Sequence, residues 1–140
     1  MRRTFSALLA AVTLFGAGAA SAQPGSANQP YVIRMRRGTD QVALMGVLVQ
    51  NRDCCVYRFV AHAGQTLNWR LTGPAVRIVL TYPDGHVDGP GVPNSVPLPM
   101  TGTYLFSVSP NLMADGAFGR YHLWMRIPPL PPMGAPHYPQ

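Results

Sequence analysis

The chain contains no lysine and no glutamate. Its 11 basic residues are all arginine and its 5 acidic residues all aspartate, so charged residues make up only 11% of 140. An ordinary globular domain carries roughly 25%. A paired-carboxylate glycosidase needs two carboxyls facing one cleft. Here Asp40, Asp53, Asp84, Asp88 and Asp115 all fall in turn or loop sequence, with no spacing that suggests a pair. The four histidines, 62, 86, 122 and 137, are scattered, and neither H-E-x-x-H nor G-x-S-x-G occurs. No glycine-rich phosphate cradle follows a strand, and no cofactor is implied. These absences argue against an enzyme. There is no C-x-x-C, which argues against a redox role. The arginines are distributed rather than massed, which argues against nucleic acid. Beyond the N-terminal leader no apolar run reaches the ~20 residues needed to span a bilayer.

What is present begins with an address. Arg2 and Arg3 precede an apolar run from Phe5 to Gly16, and Ala20-Ser21-Ala22 offers a small-x-small cleavage site. This is the grammar of a secretory signal peptide, residues 1–22, removed after Ala22. It implies a periplasmic or secreted protein. Two arginines leave with the leader, so the mature chain carries 9 Arg, 5 Asp and a net charge of +4. Residues 23–30 read as a flexible lead-in. Residues 128–140 hold six of the 15 prolines and read as a proline-rich flexible tail.

Between them the period is two, the signature of strands. Tyr31–Arg36 reads as a first strand. Gln41–Gln50 is almost continuously apolar and reads as a central strand. Cys55–Ala61 alternates, with Cys55, Tyr57, Phe59 and Ala61 on one side and Arg58 on the other. Thr66–Leu71 turns Leu67, Trp69 and Leu71 inward. Val76–Tyr82 leads to the turn Pro83-Asp84-Gly85. Ser95–Pro99 is limited to a short edge strand by its prolines. Thr103–Val108 and Gly119–Ile127 complete the set. About eight short strands and no helical window predict an all-β protein, an antiparallel β-sandwich over residues 31–127.

Three features carry chemistry. Cys54 and Cys55 are adjacent. Neighbouring Cα atoms sit about 3.8 Å apart, closer than an ordinary disulfide allows. A vicinal disulfide, one buried and one exposed thiol, and an intermolecular bridge all remain open; we favour one buried and one exposed thiol. Asp84, His86 and Asp88 are the weak candidates for a metal, against an ordinary hydrophilic turn. Trp124 shares a strand face with Arg120, His122 and Arg126, a combination suited to protein docking or sugar stacking. Seven of the nine mature arginines, 34, 36, 58, 70, 77, 120 and 126, fall on the polar side of strands. We favour solvation of the outer faces as the explanation over a cationic binding surface.

The run Tyr57-Arg-Phe-Val-Ala-His-Ala-Gly-Gln-Thr-Leu67, then Leu80-Thr-Tyr-Pro-Asp-Gly85, Leu98-Pro-Met-Thr-Gly-Thr-Tyr-Leu-Phe-Ser-Val108 and Gly119-Arg-Tyr-His-Leu123, resembles the bacterial pre-peptidase C-terminal domain. That family is a non-catalytic β-sandwich of exported proteins. The opening Ile33-Arg-Met-Arg-Arg-Gly38, the Val42–Leu48 strand and the Ala63-Gly-Gln65 turn are similar to its branch of periplasmic g-type lysozyme inhibitors. The resemblance implies a protein-binding role, with loop residues entering the lysozyme cleft. The loop from Ser109 to Phe118 contains no arginine, leaving Arg120 beyond it. The partner-binding set is Trp124, Arg120, Arg126, Asn111, Asp115 and Phe118, and the loops Asp84–Asn94 and Asn111–Phe118 are the ones expected to be presented to a partner. The alternative is a module binding carbohydrate or envelope polymer. Thr101-Gly-Thr-Tyr104 is similar to the Ser-Gly-x-Tyr motif of other lysozyme inhibitors, but the strand period turns Tyr104 inward.

Overall fold

Alternation of apolar and polar side chains produces strands with one face to bury, and two such sheets bury each other. The computed structural model describes residues 25–36, 38–52 and 54–131. The signal peptide lies outside the described residues, as does the tail beyond residue 131. Nine strands are formed: β1 (Tyr31–Val32), β2 (Gln41–Leu48), β3 (Val56–Ala61), β4 (Thr66–Thr72), β5 (Val76–Thr81), β6 (Val87–Asp88), β7 (Ser95–Pro97), β8 (Gly102–Pro110) and β9 (Gly119–Arg126). One sheet has the order β1-β3-β8-β5-β6 and the other β2-β9-β4-β7. Every pairing is antiparallel except β1 with β3. The all-β sandwich expected from the period is the observed fold.

The inward positions are those the alternation selects. Tyr57, Phe59, Ile78, Leu80, Tyr104 and Phe106 from one sheet meet Leu44, Leu67, Trp69, Tyr121, Leu123 and Met125 from the other. Each large apolar side chain so buried contributes about 1.5–3 kcal/mol. The rings stack: Phe59 lies on Tyr104 at 5.4 Å, and Trp69 meets Phe106 edge-on at 5.4 Å. Trp69 also donates its indole N–H to the Pro93 carbonyl at 2.7 Å, which satisfies its one polar atom. Tyr57 and Tyr121 share a buried hydrogen bond of 2.6 Å across the two sheets. Gly46 makes room for it, since a Cβ there would run into the Tyr121 ring. Tyr104 donates its hydroxyl to the Met100 carbonyl at 2.6 Å and accepts from the Met100 N–H. Its role is structural.

Three expectations need correction. The first strand is two residues long, not six: the Ile33 N–H still donates to the Arg58 carbonyl of β3 at 2.8 Å, and beyond it the chain crosses to the other sheet. Val87–Asp88, read as loop, pairs with Leu80 and Thr81 as β6. β2 is an edge strand rather than a central one, although it is nearly all apolar. Its inner residues Leu44 and Leu48 are buried, while Ala43, Met45 and Val47 face outward and are exposed.

The favoured reading of the cysteines also fails. Cys54 and Cys55 are joined in a disulfide with Cα atoms 3.7 Å apart. Regular strand geometry would send successive side chains to opposite faces. Cys55 instead takes φ +78°, in the left-handed region that breaks the alternation. Both sulfurs therefore reach the same place, 3.7 and 3.9 Å from the Val47 carbonyl oxygen. With no proton on a disulfide sulfur, these are contacts rather than hydrogen bonds. Cys55 is buried and Cys54 half-buried.

Candidate functional site

The strand directions sort the connections into two ends. β2 finishes at Leu48 opposite Gly119, β4 at Thr72 opposite His122, and β8 at Pro110 opposite Val76. The loops 49–55, 73–75 and 111–118 therefore share one end. The turns 62–65, 82–86 and 98–101 occupy the other, together with the start of β2.

At the first end the 111–118 loop is built by its own polar groups. Asn111 Oδ1 accepts the Met113 N–H at 3.2 Å, and the Asn111 carbonyl accepts the Ala114 N–H at 3.0 Å. Two further bonds fasten it to the neighbouring turn, Asn111 N–H to the Ala75 carbonyl and Ala75 N–H to the Gly116 carbonyl, both 3.0 Å. Ala117 is buried beneath it. With its backbone held in this way, the loop projects Leu112, 73% exposed, and Met113, 94% exposed. Phe118 is also exposed, as is Val49 on the facing loop. Val49, Gln50, Asn51, Arg52, Pro110, Leu112 and Phe118 line an open groove of about 380 Å³ between the two loops. Arg52 in this lining is exposed, as are Asp115 in the 111–118 loop and Arg120, which pairs with Val47 near the same end. Large apolar side chains thus stand in water on a backbone pinned by hydrogen bonds, an exposed apolar patch that the fold itself does not cover.

The partner-binding set chosen from sequence divides. Asn111, Asp115, Phe118 and Arg120 belong to this end, Asn111 as the residue that shapes the loop. Trp124 and Arg126 lie further along β9 on the outer face of its sheet, and both are engaged internally. The Trp124 indole N–H donates to Gln41 Oε1 at 3.2 Å, and the Arg70 guanidinium stands 5.8 Å from its ring centre. Arg126 pairs with Asp40 at 3.0 Å. Sequence reasoning singled out the loop Asn111–Phe118 without naming Leu112 or Met113 within it, and did not select Val49 or Arg52. The available signal was the apolar pair Leu112-Met113 set inside a loop between Asn111 and Asp115-Gly116.

The loop Asp84–Asn94 starts at the opposite end. Asp84 Oδ1 accepts the His86 N–H at 2.9 Å, and the Tyr82 hydroxyl donates to Asp88 Oδ2 at 3.1 Å. Burial, then the bond to Asp88, raises the Tyr82 pKa above its ordinary value. The His86 ring meets Tyr82 edge-on. Asp84, His86 and Asp88 thus hold separate structural positions. No group of three or more histidine, cysteine or acidic side chains among the described residues is arranged to hold a metal. Asn94 fastens the loop's far side by donating to the Trp69 carbonyl at 2.9 Å.

No family model matches the chain, the pre-peptidase C-terminal domain included, and no curated protein matches it. Solved structures do. The chain is similar to PliG of Salmonella Typhimurium, with 19% identity over 69% of this chain and 96% of that one and a TM-score of 0.51. It is similar to PliG of Aeromonas hydrophila, with 20% identity over 69% and 94% and a TM-score of 0.56. A mutant of the Escherichia coli PliG matches with 19% identity over 69% and 96% and a TM-score of 0.50. Each of these is described as a periplasmic lysozyme inhibitor of g-type lysozyme. At such identities the likeness is one of fold, and it extends over nearly the whole length of those inhibitors.

Proposed function

We propose that this protein is an exported, non-catalytic binding protein of the bacterial cell envelope that inhibits a g-type lysozyme. The observation that carries the reading is the loop end: Val49, Leu112 and Phe118 line one groove with Arg52 on a rigid sandwich, while Met113 of the same loop and Arg120 near the start of β9 are exposed at that end. The fold shared with three periplasmic inhibitors of g-type lysozyme supports the choice of target. Glycosidases commonly work with carboxyl groups flanking the scissile bond. A protruding apolar loop flanked by guanidinium groups suits such a cleft, because the side chains exclude water while an arginine faces a carboxylate. The inhibitor itself needs no chemistry for this. It competes for the cleft as a pre-formed surface, and the internal bonds of the 111–118 loop lower the ordering cost of binding.

The direct test is titration of the mature protein into g-type lysozyme, with chicken-type and invertebrate-type enzymes as comparators. Loss of g-type activity approaching one equivalent at saturation is expected. Undiminished activity at micromolar protein overturns the proposal. Recognition of envelope glycan through Trp124, Arg120 and Arg126 is the competing reading. It has less support, because the Trp124 ring and the Arg126 guanidinium already have partners within the fold. Retention on peptidoglycan without lysozyme inhibition would favour it.

A further inference from the structure

β2 carries an open hydrogen-bonding edge. Its register with β9 runs from Gln41 opposite Arg126 to Leu48 opposite Gly119, and the Ile127 N–H donates to the Asp40 carbonyl at 2.8 Å. Bonded and non-bonded residues alternate in an antiparallel ladder. Val42, Leu44, Gly46 and Leu48 therefore turn their backbone groups toward β9, and Gln41, Ala43, Met45 and Val47 turn theirs away. The Val47 carbonyl is covered by the Cys54–Cys55 disulfide. Among the described residues the outward backbone groups of Gln41, Ala43 and Met45 have no backbone partner.

The other edges differ. β1 and β6 are two residues long, and β7 is three residues ending in Pro97. Short strands and proline are common means of blunting an edge. β2 has eight residues, with no charge and no proline, and its outward Met45 is 47% exposed.

We propose that this edge pairs antiparallel with β2 of a second copy, across a two-fold axis at Ala43. Three open residues flanked by a disulfide-covered fourth fix that register. Ala43 meets its own counterpart, and Gln41 and Met45 meet each other twice, giving six new backbone bonds. The charge pattern favours a second copy. The strand offers no charge for a foreign peptide to read, yet its own counterpart brings no like charge opposite it. The nearest cationic column, on β9, is held away: three strand spacings place the two β9 strands about 14 Å apart, beyond the Debye length of about 8 Å at physiological salt. The axis points the two loop ends in opposite directions, so the docking end stays open and the proposal stands apart from the lysozyme reading.

Sedimentation velocity of the mature protein tests it over about 10 μM to 1 mM, a range suited to a contact smaller than ~1,200 Å². A dimer that grows with concentration is expected. Ala43→Pro removes the N–H on the axis without touching the ladder to β9, and Ala43→Lys sets two cations face to face. Each should weaken the dimer at least ten-fold, while Val60→Lys on the other sheet leaves it unchanged. Circular dichroism and melting temperature establish that the variants are folded; should Ala43→Pro fail that check, Ala43→Lys decides. A monomer throughout the range, or a dimer indifferent to Ala43→Lys, overturns the proposal.

Discussion

The two ends of the sandwich use the same residue types for opposite purposes. At the end holding the Asp84 turn, polar side chains close the backbone, and the outward apolar side chains Val87 and Leu130 are only partly exposed. Gln65 accepts the His62 N–H at 2.7 Å and donates to the Pro128 carbonyl at 3.0 Å, Thr101 accepts the Ala63 N–H at 2.9 Å, and Asp84 accepts from His86. At the other end Asn111 and the Ala75 turn do the same closing work, but the loop they close carries Leu112 and Met113 outward. Polar residues alone do not mark a site. What separates the ends is how far the apolar side chains of the loops stand out: Leu112 and Met113 are 73% and 94% exposed, against 55% for Val87 and 42% for Leu130.

The largest test of that contrast replaces Leu112 and Met113 together by aspartate. Truncation at hot spots costs 2 kcal/mol or more, so a rise in the inhibition constant of about 30-fold or greater is expected. The melting temperature should hold, because both side chains are exposed. The matched change at the other end, Val87→Asp, should leave inhibition alone. Equal effects at both ends would erase the distinction.

A second test asks whether the frame is shared by both ends. Gly46→Ala forces a methyl group into the Tyr121 ring, whose hydroxyl is pinned by Tyr57. Overpacking of this kind costs about 1–3 kcal/mol, read as a lower urea midpoint. Since Gly46 lies between the ends, inhibition per folded molecule should be unaffected.

The same tyrosine pair gives the alkaline limit. Burial raises the Tyr57 pKa, with its bond to Tyr121 adding to the rise, and burial raises that of Tyr121. The unfolded phenols titrate near 10. Above that pH the unfolded chain has released protons the folded chain still holds, so the stability present in full below pH 10 falls as pH rises. The slope is at most about 1.4 kcal/mol per pH unit for each tyrosine. Urea midpoints between pH 8 and 11 should show the fall, and Tyr57→Phe should make it shallower.

Much of this was readable in the residues. Alternation placed Tyr57, Phe59, Leu67, Tyr104, Phe106, Tyr121, Leu123 and Met125 inside, because a strand period of two leaves little choice once one face must be buried. Pairing order was not readable. β2 looks central because it is apolar on both faces, and its edge position depends on where the chain crosses between sheets, which no local pattern encodes. The docking end was half legible. Asn111 to Phe118 reads as a loop, but Val49 and Arg52 join it only through the β2–β9 pairing, which sets the two loops side by side. Trp124 and Arg126 were chosen for their face, and their partners Arg70 and Asp40 lie in distant sequence. The disulfide was hidden by the assumption of regular strand geometry at Cys55.

That disulfide supplies the smallest and most discriminating test. A ring closed between neighbours removes almost no chain entropy from the unfolded state, unlike a bridge across a long loop. Replacing both Cys54 and Cys55 by serine should therefore move the melting temperature little through loop closure, with some loss from placing a hydroxyl at the buried Cys55 position. Alanine at both positions separates that desolvation cost from the effect of the bond itself. The local consequence is different. The bond holds both sulfurs against Val47 and helps fix how the 49–55 loop, with Val49 and Arg52, faces Leu112 and Phe118. With both cysteines replaced by alanine, inhibition should weaken about three- to ten-fold, a change of roughly 1 kcal/mol, while the melting temperature shifts by only a few degrees. A variant that inhibits at full strength would show that the 111–118 loop binds alone, and would move the boundary of the docking end to β8 and β9.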